Sequence, residues 1–206
     1  MPTHLLLVRH GETAFNRAGR VQGWIDEPLN ESGLQQAGLI AQRLRRETVH
    51  AIYSSDLRRA YLTAETIGRA LNLPISADAR LREHRLGELE GLNGEEMRAR
   101  FPQRVAQQAA SSLRVPAPGE EPMDAFVARV RACVDEIVVR HPEQTVLLVT
   151  HGGALHSLLV SCLCMDINAN AFFFDNTSLS KVSFDGKRFR VYFLNDTNHL
   201  SGSTVL

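Results

Sequence analysis

Two short stretches of the sequence carry a histidine directly after an apolar run. In "LLLVRHGETAFN", the apolar residues Leu5–Val8 precede Arg9 and His10. In "TVLLVTHGG", a similar apolar run precedes His151. Charged groups at the end of a buried run need an opposite charge nearby, because burying a charge without a partner is costly. These residues therefore predict a site that binds an anion.

The types of residue in these and two further stretches fit phosphate chemistry. Arg9, and Arg58 in "SSDLRRAYLTAE", supply planar, permanently charged groups that match phosphate oxygens. A neutral imidazole can attack phosphorus, and His10, beside Arg9 at a strand end, is the expected nucleophile. His151 is expected to help bind and neutralise the phosphoryl group. Glu83 in "LREHRLG" is the acid that could protonate a leaving alkoxide.

The pattern along the chain predicts an α/β fold that brings these residues together. Dense apolar runs near residues 4–10, 51–55 and 145–151 are typical of strands buried on both faces, and amphipathic stretches follow them. The predicted architecture is a three-layer sandwich, with a mostly parallel sheet, helices on both faces and an antiparallel edge. A hairpin turned at Asp185 and Gly186 forms that edge. Parallel strands end at the same side of a sheet, so the candidate residues share one edge.

Local signals place some boundaries between these elements. Ser32 and Gln35 have the spacing of a capping box, which predicts the start of the first long helix. The pattern from Gly94 to Arg140 is helical, but "RVPAPGEEP" interrupts it with three prolines and a glycine and so predicts a loop.

Composition limits the classes of function. The 206 residues show no internal repeat or linker, which predicts a single domain over residues 1–206. The 23 basic and 23 acidic side chains cancel, so we expect no nucleic-acid partner and no membrane partner. No signal peptide or spanning segment is evident, which favours a cytoplasmic protein. The three cysteines lack metal-site spacing, and the oligomeric state is not predicted.

Four motifs together resemble the histidine phosphatase superfamily, in its phosphoglycerate-mutase-like branch. They are "LVRHGET" with Asn16, "SSDLRRAYLTAE", "LREHRLGELEGL" and "LLVTHGG". The resemblance implies a phosphohistidine at His10 and proton donation by Glu83. It also implies that the phosphoryl group is bound by Arg9, Asn16, Arg58, His151 and the main chain of Gly152, whereas Gln22 and Gly23 resemble a segment that passes over the substrate. No metal and no organic cofactor are implied.

Several alternatives remain open at this point. The family contains mutases as well as phosphatases, and a mutase needs additional cationic groups near the site. The insert around "PAPGEEPMD" is acidic, and only Arg20, His84 and Arg85 offer basic character near the mouth, so we favour a phosphatase of small phosphomonoesters over a cofactor-dependent phosphoglycerate mutase. A non-catalytic phosphate-binding module would need neither Glu83 nor two histidines. A metal-dependent hydrolase would use the two histidines and Glu83 as ligands, and Glu83 alone could be an ordinary surface ion pair with a nearby arginine.

Overall fold

The computed structural model of the chain describes residues 2–110, 115–166 and 172–201. The strands in this part of the chain are β1 (Thr3–Arg9), β2 (Ala51–Ser54), β3 (Ile75–Ala77), β4 (Thr145–Thr150), β5 (Leu179–Phe184) and β6 (Phe189–Asp196). The helices are α1 (Ala14–Arg17), α2 (Glu31–Leu44), α3 (Arg58–Leu71), α4 (Gly94–Arg100), α5 (Pro102–Ala110), α6 (Met123–Arg140) and α7 (Gly152–Cys162). Short 3₁₀ turns occupy Ala79–Leu81 and Gly87–Leu89.

The six strands form one mixed sheet in the order β3-β2-β4-β1-β5-β6. The first four strands in this order, β3, β2, β4 and β1, run parallel to one another. Strand β5 runs antiparallel to β1, and β6 runs antiparallel to β5. The turn between β5 and β6 contains Gly186, whose φ of 89° favours glycine. The predicted α/β fold with a mostly parallel sheet and an antiparallel edge is therefore confirmed.

Side chains of the central strands alternate between two hydrophobic cores. Leu5 and Leu7 of β1 point to the face covered by α6 and α7, where they pack with Phe126 and Leu155. Leu6 and Val8 of the same strand belong to the core on the other face, which α2 and α3 cover. The central strands are thus buried on both sides, as their dense apolar sequence predicts. None of the helices in the described ranges is both long and apolar enough to cross a membrane.

The predicted capping box at the start of α2 is wrong. Helix α2 begins at Glu31, and its N-cap is Asn30, whose side chain accepts a hydrogen bond from Gly33 N. Ser32 and Gln35 therefore lie inside the helix and do not form its capping box. The Asn30 side chain also donates to the Glu12 carboxylate over 2.7 Å, so the cap ties the start of α2 to the turn after β1.

The strand register places the ends of β1 and β4 side by side. Arg9 pairs with Thr150, and the backbone N–H of His10 donates to Thr150 O over 2.9 Å. The next strand joins the same edge, because Ser55 N donates to Val149 O over 3.0 Å. The residues that follow these three strands consequently meet at one edge of the sheet.

The first turn at this edge also packs tightly against helix α2. A Cβ on Gly11 would lie 2.6 Å from Gly33 O, and a Cβ on Gly33 would lie 2.1 Å from Glu12 O. These two backbones can approach so closely only because both positions lack a side chain. The approach fixes the position of the turn that carries His10.

Candidate active site

His10 is a buried side chain with a defined orientation. It follows β1 directly and is 3% exposed. Its ring Nδ1 lies 2.7 Å from the carbonyl oxygen of Gly11. A carbonyl oxygen only accepts hydrogen bonds, so Nδ1 carries the proton and donates it. The lone pair of the neutral ring is therefore on Nε2, which leaves Nε2 as the nucleophilic atom.

His151 lies next to His10 and is held by two other side chains. The two ring centroids are 5.2 Å apart, and His151 is fully buried. Arg59 Nε donates to His151 Nδ1 over 3.2 Å, so Nδ1 has the lone pair. Nε2 then carries the proton and donates to Ser55 Oγ over 2.8 Å. His151 is thus a neutral ring whose tautomer is opposite to that of His10.

Arg59 takes the position that the sequence analysis assigned to Arg58. The Arg59 side chain is fully buried, whereas Arg58 is exposed, and its backbone N–H donates to Asp26. The reason is the helical period of α3. Arg59 lies four residues before Thr63 on the buried face of the helix, and Arg58 lies outside that face. The placement of Arg58 beside the histidines was therefore wrong by one residue.

Arg59 also anchors the segment predicted to pass over the substrate. Its Nη2 donates to Gly23 O and its Nη1 donates to Ile25 O, both over 2.8 Å. Gly23 has a φ of 50°, and a Cβ there would lie 2.2 Å from the Glu90 carboxylate. Gln22 is 8% exposed, and its buried Oε1 has no hydrogen-bond partner among the described residues. The structure therefore places Gln22 and Gly23 against the Arg59 side of the cluster.

Arg9 supplies a second guanidinium group, which is partly buried. Its Nη1 donates to Phe174 O over 2.5 Å, and its buried Nε finds no hydrogen-bond partner in the described part of the chain. Gly152 lies beside it, since a Cβ there would be 3.6 Å from Arg9 Nε. Within the described ranges, neither Arg9 nor Arg59 forms an ion pair with a carboxylate. Arg59 is thus fully buried and Arg9 partly buried, and neither contacts an anionic partner among the residues described.

Glu83 is oriented by the start of helix α7. Its Oε2 accepts a hydrogen bond from Gly153 N over 3.0 Å, and its Oε1 accepts one from His84 N over 2.8 Å. A Cβ on Gly153 would lie 2.3 Å from Glu83 Oε1, so the carboxylate fits there only because residue 153 is glycine. Arg80 and Arg82, which lie near Glu83 in the sequence, pair with Asp78 and Asp56, and no ion pair joins Glu83 to an arginine in the described ranges. Glu83 is therefore not part of a surface ion pair.

Asn16 lies at the same edge but is engaged locally. Its Oδ1 accepts hydrogen bonds from the backbone and hydroxyl of Thr13, at 3.2 and 3.1 Å. The Nδ2 of Asn176 lies 3.4 Å from the same oxygen and donates to His10 O over 2.9 Å. Because Oδ1 faces Thr13, the Nδ2 of Asn16 is the part of the amide that can donate to a ligand.

The charges at this edge set the protonation of the histidines. Burial lowers the pKa of His10 well below its ordinary value of 6.5, and the positive charges of Arg59 and Arg9 lower it further. Burial, followed by Arg59, also lowers the pKa of His151. Burial lowers the pKa of Arg59 to about 10, although the negative charge of Glu83 opposes this shift. Both imidazoles are neutral near pH 7, while both guanidinium groups keep their charge.

Three residues of this cluster are not among the predicted site residues: Arg59, Ser55 and Asn176. The signal for Arg59 was present, because Ala60, Thr63, Ala64 and Ile67 mark the inner face of its helix. Ser55 ends the second predicted strand, so its position at this edge could be inferred, but its contact with His151 could not. Asn176 gave no signal, since it reaches His10 only through long-range folding. For the residues that the structure describes, no group of three or more His, Cys, Asp or Glu side chains is arranged to hold a metal ion.

Comparison with known proteins assigns the family. A family model described as the histidine phosphatase superfamily (branch 1) matches residues 5–197. The chain is 36% identical over 197 residues to phosphoserine phosphatase 1 of Hydrogenobacter thermophilus, covering 95% of this chain and 93% of that protein. The chain therefore belongs to branch 1 of the histidine phosphatase superfamily.

Proteins similar to this chain are named both as mutases and as phosphatases. A probable phosphoglycerate mutase of Yersinia pestis is 37% identical over 179 residues, covering 86% of this chain and 83% of that protein. The solved structure of a mycobacterial glucosyl-3-phosphoglycerate phosphatase with VO3 superposes with a TM-score of 0.85 at 32% identity. That match covers 94% of this chain and 99% of the other. The resemblance inferred from the four motifs is confirmed.

The lowered pKa of His10 predicts a specific dependence of stability on pH. Below pH 6.5 the unfolded chain takes up a proton at this position, whereas the folded chain does not, so the free energy of unfolding falls as the pH falls. His10→Asn removes this contribution but keeps an N–H donor for Gly11 O. Between pH 7.5 and 5.5, urea unfolding should show a loss of stability that is about 1 kcal/mol smaller in the variant than in the unchanged protein.

Equal losses in the two proteins would contradict this assignment. They would mean that His10 takes up its proton equally well in the folded and unfolded states. Arginine charges beside a buried ring do not allow that result.

Proposed function

We propose that this protein is a phosphatase that hydrolyses small phosphomonoesters through a phosphohistidine on His10. The observation that supports it most is a neutral imidazole, with its lone pair on Nε2, beside two guanidinium groups that pair with no carboxylate of the described residues. Membership of the histidine phosphatase superfamily supports the proposal, as do the relatives named as phosphatases.

The buried positive charges give the phosphoryl group its place. Arg9 has a buried Nε–H that meets no acceptor among the described residues, and Arg59 uses three of its five N–H groups for protein contacts. Both therefore have donors left for phosphoryl oxygens. Asn16 Nδ2 and the main chain of Gly152, at the start of α7, would add neutral donors. In this proposal Arg59 replaces Arg58, and the other phosphate-binding residues stay as predicted.

His151 contributes a neutral donor to this site. Its Nε2–H points to Ser55 Oγ in the free protein, and a bound phosphoryl oxygen would share or take that hydrogen bond. Arg59 prevents the ring from accepting a second proton, because it already donates to Nδ1. His151 therefore stabilises the transferring group as a hydrogen-bond donor, while the positive charge comes from the arginines.

The first chemical step transfers the phosphoryl group to the enzyme. His10 Nε2 attacks phosphorus with its lone pair, the Nε2–P bond forms, and the bond from phosphorus to the ester oxygen breaks. Glu83, protonated in the substrate complex, delivers its proton to that oxygen, and the alcohol leaves. The carboxyl group is held for this role by Gly153 N and His84 N.

The second step releases phosphate. The Glu83 carboxylate accepts a proton from a water molecule as the water oxygen attacks phosphorus. The Nε2–P bond breaks, and its electron pair returns to His10. One residue acts as acid in the first step and as base in the second, which restores the starting state.

A phosphoglycerate mutase is the second candidate, because several similar proteins carry that name. A mutase has to hold a carboxylate and a second phosphate while it retains the intermediate. His84 is 5% exposed and bonds to Glu121 O, and Arg20 is paired with Glu96, so these two groups are already engaged. The described cationic groups therefore favour hydrolysis.

The proposal predicts a covalent intermediate on one residue. Alkaline quenching of the protein during turnover of 4-nitrophenyl phosphate, followed by mass spectrometry, should find one phosphoryl group on the peptide that contains His10. His10→Asn should lose this modification and nearly all phosphate release. His50→Asn, a change at an exposed histidine, should keep both. A phosphoryl group on His151 would refute the assignment, and binding without any phosphoenzyme or phosphate release would indicate a non-catalytic module.

The role of Glu83 predicts a dependence on the leaving group. An alkoxide leaves poorly without a proton, whereas 4-nitrophenolate needs little assistance. Glu83→Gln should therefore reduce the hydrolysis of glycerol 3-phosphate by ~10² to 10⁴-fold, and that of 4-nitrophenyl phosphate much less. Glu88→Gln changes an exposed carboxylate of the same segment that pairs with Arg100, and it should leave both rates unchanged. Equal losses for both substrates in Glu83→Gln would show that Glu83 does not donate the proton.

A further inference from the structure

Trp24 is bonded to the segment that carries Glu83. Its indole Nε1–H donates to Glu83 O over 2.8 Å, and its backbone N–H donates to the Glu90 carboxylate over 3.0 Å. These two bonds fix the ring against the segment that carries Glu83. In the proposed reaction Glu83 contacts the ester oxygen, so groups around Trp24 lie near the part of the substrate that leaves.

Three guanidinium groups surround this ring. The Cζ atoms of Arg82, Arg85 and Arg129 lie 4.7, 5.5 and 5.9 Å from the ring centroid. Cation–π attraction holds such groups against an aromatic face. The ring therefore gathers positive charge close to Glu83.

Two of these arginines have carboxylate partners. Arg82 donates to both oxygens of Asp56, at 2.7 and 2.6 Å. Arg129 donates to both oxygens of Glu121, at 2.7 and 2.9 Å, and to the carbonyl oxygen of Glu83. Both groups are structural supports of the segment that presents Glu83.

Arg85 differs from these two supports. Its side chain is exposed, and across the described ranges it forms no ion pair with a carboxylate. Its backbone N–H lies 3.4 Å from Glu121, but the oxygens of that carboxylate already accept from Arg129. Its guanidinium group is held by Trp24 and keeps its hydrogen-bond donors for a ligand.

The acidic insert "PAPGEEPMD" does not neutralise the positive charge of Arg85. The Glu120 side chain is 1% exposed and faces inward, 3.8 Å from Arg104 and 3.8 Å from His84. Leu86 pairs with Glu120 through the backbone, which holds this loop beside the segment of Glu83. The insert is acidic in composition, as its sequence indicates, but Glu120 and Glu121 are both turned toward basic partners.

We propose that Arg85, held against Trp24, is a specificity-determining residue that binds a carboxylate on the leaving alcohol of the substrate. This inference rests on the proposed phosphatase function. A planar carboxylate matches the two-pronged guanidinium group, and one cation balances one negative charge. A second phosphate would need further cationic groups, but Arg20 and His84 are engaged elsewhere. The preferred substrates are phosphomonoesters of small hydroxy acids.

The test compares two substrates that differ only in this group. 3-Phosphoglycerate carries a carboxylate where glycerol 3-phosphate carries a hydroxymethyl group. The unchanged protein should prefer 3-phosphoglycerate in kcat/KM by about 10- to 100-fold, the size expected for one charge-assisted hydrogen-bonded pair. Arg85→Ala should remove most of this preference through a higher KM for 3-phosphoglycerate, and Arg85→Lys should restore part of it.

Arg46→Ala serves as the matched control. Arg46 is exposed and follows α2, at the opposite end of the sheet, so its loss removes one charge without changing the preference. Equal effects of Arg85→Ala on both substrates, or an unchanged preference, would overturn the role of Arg85 and leave the phosphatase proposal standing. Failure to hydrolyse either substrate or 4-nitrophenyl phosphate, with no phosphohistidine formed, would overturn both.

Discussion

Two arginine side chains lie at the end of a parallel sheet, Arg59 fully buried and Arg9 partly buried, and no carboxylate in the described part of the chain pairs with either of them. Arg9 and Arg59 lie beside His10 and His151, and burial lowers the pKa values of both arginines. Removing a charge from water is costly unless a partner replaces the lost solvation. Among the described residues, Glu83 is the carboxylate that raises both pKa values most, and it forms no ion pair with either arginine. The site is therefore arranged for an anion that arrives from outside.

The other features of the site depend on this concentration of charge. Burial, and after it the positive charge of the arginines, keeps the two imidazoles neutral, so His10 retains a lone pair and His151 remains a donor. The same charge that binds a phosphate also stabilises the transferring group, because its oxygens stay in contact with the arginines. Arg59 in addition fixes the loop at Gly23 and the ring of His151. Binding, nucleophilicity and orientation thus have a common physical origin.

Much of this arrangement could be predicted from the sequence, because it depends on local patterns. Dense apolar runs identify the central strands, and the topology of parallel strands places Arg9, His10 and His151 at one edge. The choice of Arg58 over Arg59 failed because it ignored the helical period, which puts Arg59 above Thr63. Such local patterns do not predict which side chains from distant segments contact one another. Ser55 reaches His151 across 96 positions, and Asn176 reaches His10 across 166.

The direction of charged side chains was the other feature that the sequence could not supply. Glu120 and Glu121 are acidic by composition, yet the fold turns them toward Arg104 and Arg129. Arg85 is one of several arginines in its segment, and only the contacts of its neighbours distinguish it. Residue type indicates which charges exist, whereas packing determines which of them can meet a ligand.

The most direct test of the account measures how strongly an anion stabilises the folded protein. Urea unfolding with and without inorganic phosphate should show a free energy of unfolding that rises by about 2.7 kcal/mol at a phosphate concentration of 100 Kd. Adjacent arginines provide the comparison, because Arg59 is buried and Arg58 is exposed. Arg59→Gln should lose most of the stabilisation by phosphate, and Arg58→Gln should keep it. Equal stabilisation of all three proteins by phosphate, or its loss in Arg58→Gln alone, would contradict the claim that the buried arginines form the anion site.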